Sequence, residues 1–181
     1  MARECYCNPP PLWYDYIMDT TPSVILKQGV RYCKSGAKDA GFETETNDCF
    51  VHAIKHVAGV PYRDAHAYVT KRYGRKPRKA TYNVVNITAE IATRMELVYG
   101  YRVIPQILPT KYVMRRGYQR RQMPTMAGTI DRMRKGRYIV WSRNHAWAVI
   151  DGVVYDNGAA SGRTQVNGFY EFVPSSQLEG K

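Results

Sequence analysis

A cysteine, a histidine and an aspartate in this chain of 181 residues have the types and spacing of an acyl-transfer site. Cys49 follows Thr46-Asn47-Asp48, a helix-capping string, and Val51, Ile54, Val57 and Ala58 continue at helical spacing. Its sulfur is therefore expected in a first helical turn, where unpaired amides and the helix dipole favour a thiolate. The N–H of Cys49 can also face a developing oxyanion there. A buried structural cysteine is the plain alternative. His145 lies in NHAWAVI, which Asp151-Gly152 separates from VVYDN, a strong signal for a two-residue hairpin. That turn would pair Ile150 with Val153, Val149 with Val154, Ala148 with Tyr155 and Trp147 with Asp156. Asp156 then becomes the diagonal neighbour of His145, roughly 5–8 Å away at Cβ. A one-residue slip would hand its place to Asn157.

The expected roles are a Cys49 nucleophile, a His145 base and an Asp156 that orients the imidazole. Asn47 is either an amide donor to the oxyanion or the helix cap. Trp147 shares the face of His145 and is either a wall of the substrate cleft or a core aromatic. His52 and His56 lie on the helical face of Cys49 and read as satisfied polar or interface histidines. Cys5, Cys7 and Cys33 lack the second paired motif of a zinc site, and no metal or cofactor is expected.

The elements that must position these groups follow an α+β order. Residues 1–40 read as an N-terminal arm or cap, with strand-like stretches at Ser23–Leu26 and Val30–Tyr32. The nucleophile helix ends at Gly59-Val60-Pro61, and a second runs from about Tyr62 to Tyr73, stopping at Gly74. A third is expected over 87–98, a strand over Val103–Leu108, and a short helix capped by Thr125 that ends near Lys135. Lys111–Arg121 is basic and ambiguous between types. Arg137–Ser142, the two arms of the Asp151-Gly152 hairpin and Phe169–Val173 make an antiparallel sheet.

With Cys before His before Asp, N-D-C-F-V-x-A-I (Asn47–Ile54) and G-R-Y-I-V-x-S-x-x-H-A-x-A-V-I-D-G-V-x-Y-D (Gly136–Asp156) resemble the papain-like cysteine peptidases. Small phage and bacterial members are the nearest in character. The resemblance covers about the last 135 residues. It implies a papain-like catalytic domain over 41–181 and peptide or isopeptide hydrolysis. It also implies a phage-encoded enzyme acting on a host protein in the host cytoplasm. Transglutaminase-like acyl transfer is an alternative, because one thioester intermediate serves both reactions. The family pattern would put an oxyanion Gln six residues before the cysteine, where this chain has Glu43.

Charge supplies a different reading. The chain carries 27 Lys and Arg against 15 Asp and Glu, a formal +12. Lys71 to Arg143 holds 18 basic and three acidic residues, a net of +15, and the flanks together come to −3. Arg75, Lys76, Arg78, Lys79, Arg115, Arg116, Arg120 and Arg121, with Tyr73, Tyr82, Tyr112 and Tyr118 among them, are candidate polyanion contacts. The alternative function is thus a catalytically silent papain-like fold binding nucleic acid or an acidic protein. In an enzyme, the same charge would suit an acidic protein or peptide substrate. No apolar run approaches the roughly 20 residues of a membrane span, and a cytoplasmic protein is expected.

Overall fold

Cys49–Ala58 forms helix α1 because apolar residues recur at helical spacing along one broad face: Phe50, Val51, Ala53, Ile54 and Val57 are buried. Gly59 ends it in the left-handed conformation (φ 68°), returning its N–H to the carbonyl of Lys55. Pro61 then starts α2 (Tyr62–Tyr73), which buries only Tyr62, Ala65 and Val69. Asp64 in its first turn and Lys71 and Arg72 in its last complement the dipole, and Gly74 closes it. This computed structural model describes residues 30–32, 37–79, 97–108, 111–156 and 162–177.

The strands, in chain order, are β1 (Val30–Tyr32), β2 (Leu97–Val98), β3 (Tyr101–Ile107), β4 (Lys111–Arg115), β5 (Tyr118–Gln122), β6 (Arg137–Trp141), β7 (Ala146–Ile150), β8 (Val153–Asp156) and β9 (Gly168–Pro174). Seven of them form one sheet in the order β1-β8-β7-β6-β9-β3-β2. All its pairings are antiparallel except β1 with β8, which is parallel. The fold is mixed α+β. No described helix is long and apolar enough to cross a membrane.

Asp151 and Gly152 both have positive φ, 49° and 79°, as a two-residue type I′ turn requires. The resulting register pairs Ile150 with Val153, Val149 with Val154 and Ala148 with Tyr155, as expected from the turn. β7 is buried along its whole length, and α1 packs on the face that carries Ala146, Ala148 and Ile150. His56 stacks on Tyr155 of that face with ring centroids 5.0 Å apart. Arg137, also on it, donates to the carbonyl of Val57 at 2.9 Å. Methyl side chains on the central strand let the helix approach closely. Farther along the sheet, Trp141 lies over Gly168, where an added Cβ would collide with the indole, and stacks on Tyr170.

The helix expected over 87–98 is corrected where it is described: Leu97–Val98 is a strand. Tyr99 and Gly100 turn with φ 49° and 81° and fold it onto Tyr101 and Arg102, so hairpin geometry prevails over apolar periodicity at that end. Residues 87–96, Ser23–Leu26 and Asn157 lie outside the described residues. Thr125 caps a short helix α3 (Met126–Thr129), its hydroxyl accepting from the Gly128 amide, and a 3₁₀ turn over Ile130–Met133 continues it. Lys111–Gln122 becomes a hairpin turning at Arg116 and Gly117, which forms a two-stranded sheet of its own.

Candidate active site

Cys49 occupies the first position of α1, half-buried and with a free thiol. α1 runs parallel to β7: Val57 near its end meets Arg137, the partner of Ile150, and its start lies beside the beginning of that strand, where His145 precedes Ala146. The backbone there is fastened: both the amide and the hydroxyl of Ser142 donate to the His145 carbonyl, at 2.8 and 3.3 Å. The Cys49 thiol lies close enough to the His145 ring on one side to favour its protonated form. On the other its Nε2 lies 2.6 Å from Oδ1 of Asp156. Asp156 is fully buried, and the His145 side chain is 26% exposed. The structure therefore brings Cys49, His145 and Asp156 together.

The electrostatics follow from this sandwich. The carboxylate of Asp156, then the neighbouring Cys49 thiol, stabilises the protonated ring and pushes the His145 pKa up to about 10 against the opposing effect of burial. Nε2 is engaged by Asp156, which leaves Nδ1 for the thiol. Trp147, expected as a possible cleft wall, is wholly buried and cannot line an open cleft. It stacks beneath His145 instead, ring centroids 5.7 Å apart, as its place two residues along the same strand face dictates.

The loop that delivers Cys49 is held by a cluster that the sequence did not signal. Glu45 accepts both arms of the Arg75 guanidinium, at 2.9 and 3.0 Å, and the Arg78 amide at 2.8 Å. His66 lies 3.0 Å from the same carboxylate, and Arg75 also donates to the Thr46 carbonyl. Chiefly through Arg75, the Glu45 carboxyl is held down at about 2. Thr46 and Asn47 side chains both donate to the Arg78 carbonyl at 3.3 Å. Glu45 and Arg75 are 30 residues apart, and only the packing of α2 beside α1 makes them neighbours.

This cluster settles two expected roles differently. Arg75 is withdrawn from the polyanion set, because its guanidinium is buried and committed to Glu45. Asn47 is not the helix cap. Asp48 holds that position, and its carboxylate accepts from Tyr62 Oη at 3.0 Å instead of capping an amide. Asn47 has a left-handed backbone (φ 55°), and one hydrogen of its side-chain amide is engaged by Arg78, with a second left over. Glu43 is exposed in the preceding turn.

His52 and His56 form a buried pair with Nε2 atoms 3.1 Å apart. Burial, then the neighbouring His52, pushes the His56 pKa down to about 3. Lys76, Arg78, Lys79, Arg115 and Arg116 are exposed, and Arg120 and Arg121 sit on β5. Cys5, Cys7, Cys33 and Tyr82 lie outside the described residues. Among the described residues no group of three or more His, Cys, Asp and Glu could hold a metal ion. The chain matches no protein-family model, no curated protein and no solved structure.

Proposed function

We propose that this protein is a papain-like cysteine hydrolase acting on peptide or isopeptide bonds. The observation that carries the proposal is the His145 ring held between the Cys49 thiol and the buried Asp156 carboxylate. In this mechanism His145 takes the thiol proton and the thiolate attacks the acyl carbon. The imidazolium then returns that proton to the leaving amine. Asp156 keeps Nε2 protonated and so presents Nδ1 to sulfur. The oxyanion forms at the start of α1, against the Cys49 N–H and the remaining hydrogen of the Asn47 amide. Water releases the acyl group in hydrolysis, and an amine does so in transfer. A host protein as substrate belongs to the same proposal and rests on the family resemblance alone.

The test is alkylation of Cys49 by iodoacetamide across pH, followed by mass spectrometry. Labelling of Cys49 should persist well below the ordinary thiol range of about 8.5. In His145→Ala the acidic part of that profile should vanish while the fold is retained. A Cys49 that titrates as an ordinary thiol, with the same profile in both proteins, would overturn the proposal.

A further inference from the structure

The hairpin of β4 and β5 has no place in the proposed catalysis, and its composition is one-sided. Between Lys111 and Gln122 it carries five cations and no acid. All of Lys111–Gln119 is exposed, including large apolar side chains that a solvated loop would ordinarily avoid: Tyr112 is 63% exposed, Met114 70% and Tyr118 75%. Among the described residues it belongs to no larger sheet. Two strands alone bury too little to be stable in water without something to pack against. An exposed ribbon of this kind points to an external partner.

Charge and shape together select that partner. Four of the five cations are arginines, whose planar forks match phosphate oxygens. They run the length of the ribbon, from Lys111 at its base to Arg115 and Arg116 at its tip, with arginines at 120 and 121 on the return strand. Position 120 pairs with Val113 and position 121 with Tyr112, so arginine occurs at register positions of both faces. A one-sided acidic protein surface would use one face. A groove walled by phosphates uses both, and a two-stranded ribbon fits the major groove of a duplex, about 12 Å wide. Five-residue strands reach about 17 Å, enough to lie along such a groove. We propose that the β4–β5 hairpin is a docking arm for double-stranded nucleic acid, gripping phosphates with Lys111, Arg115 and Arg116 and placing Tyr112 and Tyr118 against the duplex. This inference does not depend on the chemistry of Cys49.

The experiment is fluorescence anisotropy of the full chain with a labelled mixed-sequence DNA duplex over a salt series. Affinity should fall with salt at a log–log slope of about −3 to −4.5, as three to five phosphate contacts require. Arg115→Glu with Arg116→Glu should weaken binding at least about tenfold and flatten the slope by about 2. Lys38→Glu with Arg163→Glu, an equal charge change at exposed sites elsewhere, should change affinity less than about twofold. Cys49→Ala should bind as the parent does. Absence of binding at low salt, an equal loss in the Lys38/Arg163 variant, or tighter binding of the single strand or of polyglutamate than of the duplex would overturn the proposal.

Discussion

His145, the proposed base, is restrained on every side. Its carbonyl is bonded to Ser142, its face lies on Trp147, Nε2 meets Asp156, and the other ring edge meets the Cys49 thiol. The raised pKa follows from that enclosure, and Asp156 is its largest cause. Replacing Asp156 by Asn keeps a hydrogen-bonding side chain of the same shape but removes the charge. Asp156→Asn should therefore slow alkylation of Cys49 at pH 6 by about 10- to 100-fold, with little loss of thermal stability. A time course of labelling read by mass spectrometry measures the first, and a melting curve the second. An unchanged rate would mean that Asp156 only fills space.

At the scale of elements, the proposed nucleophile depends on two helices held in one arrangement. α1 is seated on the alanines of β7, and α2 returns alongside it to place Arg75 against Glu45 and Thr46. The Glu45–Arg75 pair is buried, with side-chain exposures of 4% and 0%. Removing one partner of such a pair leaves an uncompensated charge in a place where water cannot repair it. Arg75→Ala should cost about 3–5 kcal/mol in urea unfolding. Where the protein still folds, alkylation of Cys49 should be slower, because Glu45 and the Thr46 carbonyl lose their anchor. Lys76→Ala, at an exposed neighbouring position, should do neither.

For the whole molecule, acid should be destabilising in two stages. His56 is held neutral down to about 3, whereas in the unfolded chain it protonates near its ordinary 6.5. The unfolded state therefore binds the extra proton between these values, and stability falls as pH drops from about 6.5 toward 3. Glu45 adds a second loss between its ordinary 4.5 and about 2, the range in which only the unfolded carboxyl is protonated. Urea midpoints measured from pH 7 to 3 should decline throughout. His56→Gln should flatten the upper part of that decline and leave the lower part in place. A flat profile between pH 6.5 and 4.5 would show that the histidine pair is not held neutral.

Local rules made much of this legible from the chain. Asp151-Gly152 can adopt the left-handed turn that pairs two strands in one register only, so the partnership of His145 and Asp156 was determined by backbone sterics within twelve residues. The ends of both helices, at Gly59 and Gly74, follow from capping chemistry equally close in sequence. The tertiary structure decided what depends on residues far apart. It brought Cys49 to His145 across 96 positions, buried Arg75 against Glu45, and put Trp147 under the imidazole rather than in a cleft. It also made Lys111–Gln122 a ribbon outside the main sheet. Charge counts along the chain cannot distinguish an arginine that faces water from one locked to a carboxylate, because that depends on which elements pack together.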